Sequence, residues 1–89
     1  MSGPVEFDPD ELDRGASALT RSQSALTSEA KAIRSAVAGM SRFRGREADK
    51  FRAQIDQQAR QLSAHADALG KSAQMLRSMA QDIRSLRWR

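Results

Sequence analysis

Leu12, Leu19, Leu26, Ile33 and Met40 recur every seven residues, and Ala16, Gln23, Ala30 and Val37 follow the first four of them at a distance of four. Alternating steps of four and three keep these positions on one stripe of a helix, and sustained over several heptads they describe the seam of a coiled-coil-like bundle. A second run, Ala48, Phe51, Ile55, Gln58, Leu62, His65, Leu69, Ser72, Leu76, Met79, Ile83 and Leu86, alternates steps of three and four without a lapse. Between the two runs stands Gly45, whose missing Cβ permits a backbone conformation that ends one helix and lets another begin. The pattern predicts an all-α fold, an antiparallel helix-turn-helix hairpin forming one domain over residues 1–89. Helix 1 is expected over about 9–40, the turn over about 41–45 and helix 2 over about 46–87.

Local signals agree with that division. Asp8, Pro9, Asp10 and Glu11 supply a capping carboxylate, a proline in the first helical position and acids against the positive end of the helix dipole. Residues 1–7, with Gly3 and Pro4, are expected to be irregular. Folding the chain back at Gly45 pairs Met40 with Ala48, Ile33 with Ile55, Leu26 with Leu62, Leu19 with Leu69 and Leu12 with Leu76. The companion row pairs Val37 with Phe51, Ala30 with Gln58, Gln23 with His65 and Ala16 with Ser72. A buried Gln23–His65 layer is expected to fix register at some cost in stability. Helix 2, at 1.5 Å per residue, is about 63 Å long against about 48 Å for helix 1, so it overhangs.

Two further ridges run beside the seam. Ala18, Ala25, Ala32 and Gly39 lie on the flank of the helix 1 Leu row, and Ala59, Ala66, Ala73 and Ala80 repeat along helix 2. Small side chains let another helix approach closely, so the two ridges together mark a second interface, although Ala is also a good helix former at exposed sites. Two helices share one seam and leave other apolar surface wet. A partner hairpin completing a four-helix bundle resolves this, with Leu12, Leu19, Leu26, Ile33, Val37, Met40, Ile55, Leu62, Leu69, Leu76, Met79, Ile83 and Leu86 supplying the hairpin and partner interfaces. Gly70 weakens helix 2 by roughly 1 kcal/mol, and Met75 and Met79 are adaptable fillers nearby.

Composition narrows the function. The 89 residues contain no Cys, which excludes disulfides, thiol chemistry and Cys-based zinc sites, and a single His, His65, which reads as a core or interface residue. No nucleophile with a base, phosphate loop, metal cluster or acid pair can be assembled, so neither enzyme activity nor a cofactor is expected. No stretch approaches the ~20 apolar residues of a membrane span. Residues 1–12 lack the basic start and apolar run of a cleavable signal peptide.

The net charge of +4 is unevenly laid out. Glu6, Asp8, Asp10, Glu11 and Asp13 make one end acidic, while Arg77, Arg84, Arg87 and Arg89 outnumber Asp82 at the other. The hairpin brings these ends together, and mutual neutralisation accounts for much of the asymmetry without a nucleic acid. Arg42, Arg44 and Arg46 cluster at the tip, where they offset the dipole end of helix 1 or offer a recognition surface to an acidic partner. Trp88, the only Trp, packs on Val5 or Phe7 or anchors a partner or lipid headgroups.

The nine residues from Phe43 to Phe51, Phe-Arg-Gly-Arg-Glu-Ala-Asp-Lys-Phe, resemble the W-x-G turn of the small helical-hairpin proteins exported by type VII (ESX) secretion systems. Phe43 stands where that family usually has Trp, Gly45 matches, and Ala48 and Phe51 continue the spacing. The family often carries Tyr, three residues and Asp or Glu near its C-terminal end as an export signal. This chain has no Tyr, and its nearest counterpart, Ser78 to Asp82, keeps only the acid.

The resemblance implies a non-enzymatic secretion substrate or partner that forms a homodimer, a heterodimer with a related hairpin, or a complex with the helical targeting domain of a larger toxin. It implies an escort that is cytoplasmic before export and then secreted or surface-exposed, with membrane contact only through the secretion machinery. Phe43 and Gly45, with a partner's tail, would form the surface read by the secretion ATPase. Two other readings remain open. One is a basic bundle binding nucleic acid or anionic membrane through its arginines, against which the basic residues are scattered among acids. The other is a generic coiled-coil adaptor.

Overall fold

The computed structural model describes residues 8–87, which form an antiparallel helical hairpin of α1 (Pro9–Ala38) and α2 (Arg46–Arg87). Helix α1 starts as its sequence dictates. Asp8 is the N-cap, its Oδ1 accepts from the Asp10 N–H at 2.9 Å, and Pro9 occupies the first helical position, where a missing N–H costs nothing. The helix ends at Ala38, two residues before the expected point. Gly39 donates to Ser35 O at 3.0 Å, after which Met40 donates to Val37 O and the chain leaves helical geometry.

Residues 39–45 form the turn. Gly45 adopts φ +111°, a region that residues with a Cβ avoid, and its carbonyl accepts from Asp49 N–H at 3.0 Å. Gly45 therefore launches α2, while Gly39, in right-handed helical conformation, closes α1. The turn lies back along the start of α2. Phe43 meets Phe51 edge to face at 5.8 Å between ring centroids, and Arg52 Nη2 donates to Met40 O at 2.7 Å.

This doubling back shifts the pairing of the helices. Gln23 meets Gly70 rather than His65, Gly15 approaches Leu76, the residue expected opposite Leu12, and Arg34 approaches Asp56. The pairs expected from a fold at Gly45 are thus displaced towards the C-terminal end of α2. With 30 residues against 42, α2 exceeds α1 by about 18 Å at 1.5 Å per residue. The turn segment covers part of that excess.

The centre of the seam differs more substantially from expectation. The buried residues of α2 are Ala48, Ala59, Ala66, Ala73 and Ala80, and in α1 Ala16 and Ala30 are buried, with Gln23 and Val37 half-buried between and beyond them. The row Gln58, His65, Ser72 and Met79, expected inside, is exposed. No Gln–His layer exists, and the Ala59–Ala80 ridge is not a second interface: it is the contact between the two helices of the hairpin. The physical reason is that the Leu/Ile row of α2 can be completed by the positions three residues on or by those four residues on. The second choice buries methyl groups and leaves the polar side chains in water, where they need no buried partner. Alanines facing alanines also let helix axes come close.

Candidate partner interface

Packing through Ala gives the hairpin two unlike faces. On one side of the seam lie Asp13, Thr20 and Arg34 of α1 with Asp56, Gly70, Arg77 and Arg84 of α2, and among the described residues every polar side-chain bond between the helices is made there. Arg77 Nη2 donates to Thr20 Oγ1 at 2.9 Å, and Asp56, 3.9 Å from Arg34, also takes Arg60 at 2.8 Å. Arg84 spans Asp10 and Asp13, each at 2.7 Å. Hydrogen bonds from Asp13 first and Asp10 second make its guanidinium hold its proton more firmly than an unpaired arginine does. Charges from opposite ends of the sequence meet here, with Arg84 of the basic end doing the pairing. Thr20, Gln23, Gly70, Lys71 and Arg77 border a shallow polar groove on this face.

The other side carries Leu12, Leu19, Leu26 and Ile33 beside Ile55, Leu62, Leu69, Leu76 and Ile83. All nine are half-buried, and no large side chain among the described residues is fully buried. Each shields the Ala seam with one edge and shows the other to solvent. The expected interface list is thereby divided. These nine and Val37 are half-covered, whereas Met40 lies exposed at the tip, and Met79 and Leu86 lie exposed on the α2 flank of the stripe, Leu86 at 68%. Phe51 belongs to the same flank and not to the seam. The Ala18, Ala25, Ala32 and Gly39 ridge is exposed on the outer surface of α1.

At the tip, Ala48 is buried, and Phe43 and Phe51 pack on each other while each keeps 37% of its surface exposed. Arg44 Nε donates to Ser41 O at 3.2 Å; Arg42 and Arg46 are exposed. The residue that organises the tip is one that sequence reasoning passed over, Arg52. Its guanidinium caps the Met40 carbonyl and lies over the Phe43 ring at 5.7 Å, within reach of a cation–π attraction. The signal was available: Arg52 stands seven residues before Ala59, at the head of the buried Ala row. Trp88, together with Val5 and Phe7, lies outside the described residues.

His65 is exposed, and among the described residues no group of three or more His, Asp or Glu side chains is placed to hold a metal ion. Among the described residues no helix is long and apolar enough to cross a membrane. The fold and its surface thus define an amphipathic helical hairpin with one apolar face. No protein-family model, curated protein or solved structure matches the chain.

Proposed function

We propose that the chain is a non-enzymatic partner protein that buries its Leu/Ile face against another helical hairpin, completing a four-helix bundle. In this reading it serves a type VII (ESX) secretion system, escorting or accompanying a larger effector. The single observation that carries the pairing is the half-exposure of Leu12, Leu19, Leu26, Ile33, Ile55, Leu62, Leu69, Leu76 and Ile83 on one side of the seam. A fully buried Leu or Ile contributes about 1.5–3 kcal/mol relative to exposure, and each of these leaves part of that unrealised in the lone hairpin. A bundle of two such hairpins recovers it, with each Ala seam acting as the close internal contact of one half. The secretion role rests on the Phe43-Arg44-Gly45 turn and on Phe51, which keep an aromatic pair at the tip where W-x-G proteins have their turn motif.

With the α2 Ala row buried inside the hairpin, the Leu/Ile stripe is the proposed interface, which makes the test specific. Leu26→Asp with Leu62→Asp places two carboxylates in mid-stripe while leaving the Ala seam intact. The expected result, by sedimentation of the chain co-expressed with a neighbouring reading frame, is loss of the complex with the helical circular dichroism retained. Unchanged association by the folded double variant excludes the stripe as the interface. Export is tested separately, by following the chain and its neighbour in culture supernatant when the ESX ATPase is inactivated.

A further inference from the structure

We infer that the occupant of the Leu/Ile face is a helical partner of different sequence whose own apolar stripe is edged with Lys and Arg, rather than a second copy of this chain. The inference rests on the pairing proposed above and specifies its chemistry. It comes from the distribution of charge around the two helices, which the register of the seam fixes because burial repeats every seven residues along both.

Take the Ala seam as the dividing line. Among the described side chains, every Lys and Arg of α1 and α2 falls on the seam row itself, on the polar face or on the back of the hairpin beyond it: Arg52 heads the Ala row, Arg34, Arg77 and Arg84 edge the polar face, and the others lie further round. On the apolar side, in the two rows outside the Leu/Ile stripe, the helical positions that bear charge at neutral pH are Glu11, Glu29, Glu47 and Asp82. All four are exposed. Glu47 has a cation nearby, Lys50 at 3.6 Å, reached along its own helix. The acids are also spread along the stripe. Glu11 on α1 and Asp82 on α2 border its two edges near the chain ends, Glu29 borders it midway, and Glu47 borders it at the tip. His65 is the one base on this side, on the α2 edge.

An apolar stripe supplies affinity without choosing among apolar partners, and the charges at its rim make the choice. Two copies packed face to face bring acid rims together in either orientation of the hairpins, and among the described side chains only Lys50, at Glu47, reaches a rim acid. A stripe flanked by Lys and Arg gains opposite charges along both edges and at both ends. Exposed rim charges act mainly on encounter rate and on discrimination, so the effect is expected to weaken as salt rises.

The test uses two designed helical hairpins that share one Leu/Ile face and differ only in the rim, one bearing Lys and Arg and the other Glu. Each is titrated by fluorescence anisotropy against the whole chain at about 50 mM and about 500 mM NaCl, with sedimentation equilibrium of the chain alone alongside. The expected result is at least about tenfold tighter binding of the basic hairpin at low salt, an advantage that shrinks at high salt, and no tight self-association of the chain. The combined variant Glu11→Lys, Glu29→Lys and Asp82→Lys, at exposed positions that leave the seam untouched, is expected to reverse the preference. Equal binding of the two probes, or a tight homodimer broken by Leu26→Asp with Leu62→Asp, overturns the inference while leaving the stripe as an interface. If neither probe binds, the stripe itself is excluded, and the pairing proposal falls with this one.

Discussion

The side-chain amide of Gln23 lies where a Cβ on Gly70 would sit, with Nε2 2.5 Å from that position. The glycine in the middle of α2 is therefore the notch that admits the one polar residue of the α1 seam row. Gln23 does not need a histidine opposite it, because the absence of a side chain on α2 opens a path to the polar groove and to water. The same contact explains why Gly70, a poor residue for a helix interior, fits this place.

Gly70→Ala sets two effects against each other. The Cβ displaces Gln23, but what it meets is the far end of a flexible side chain beside an open groove, so the displacement costs little. The helix gains up to about 1 kcal/mol from replacing Gly by Ala. We expect the variant to be as stable as the parent or more so, by up to that amount, in urea unfolding followed by circular dichroism. A clear loss of stability shows instead that the Gln23 amide is held by interactions worth more than the helix gain.

Ala66→Leu distinguishes the seam from an outer ridge. Ala66 is 2% exposed between the helices, and three added heavy atoms force the helices apart, at a cost of about 1–3 kcal/mol. Ala25→Leu, on the exposed ridge of α1, is expected to change stability by no more than about 0.5 kcal/mol. Equal tolerance of both substitutions in thermal melts contradicts an Ala-packed hairpin.

The turn depends on Arg52 and Gly45 for different reasons. Arg52→Ala leaves the Met40 carbonyl without its 2.7 Å donor and uncovers Phe43, for an expected loss of about 1 kcal/mol. Gly45→Ala meets no atom within 4 Å, so its whole cost is backbone strain at φ +111°, about 1–3 kcal/mol. Hydrogen exchange of residues 39–52 reads both. The expected pattern is faster exchange confined to that tip, while the Ala59 to Ala80 segment stays protected.

Arg84→Met keeps the aliphatic stem and removes the clasp on Asp10 and Asp13. The partners are exposed, so the expected effect is local: faster exchange in the first turns of α1, diminished by salt. The pH dependence has a definite sign. A cation whose pKa is raised by folding stabilises the fold at all pH values below its unfolded pKa and loses that contribution only as pH rises through the raised value. The arginine's own titration thus removes none of the difference between parent and variant from about pH 6 to about pH 10. A difference that fades steadily across that alkaline range contradicts the assignment.

What the sequence by itself determined was local. Asp8 and Pro9 start a helix because their side chains satisfy or dispense with N–H groups at that point. Gly45 can start the second helix because, without a Cβ, it takes a positive φ that other residues avoid. The seven-residue recurrence of Leu and Ile made two amphipathic helices and one hairpin legible without coordinates. The tertiary structure alone decided which row completes each stripe. In α2 the spacing allowed Gln58, His65, Ser72 and Met79 or Ala59, Ala66, Ala73 and Ala80, since steps of three and of four both keep near the Leu row. The choice was made by close approach between helices and by the cost of burying amides and an imidazole without partners. It turned the alanines inward, left nine Leu and Ile side chains half-uncovered on one face, and placed Glu11, Glu29, Glu47 and Asp82 along its edges, with Lys50 beside Glu47 alone.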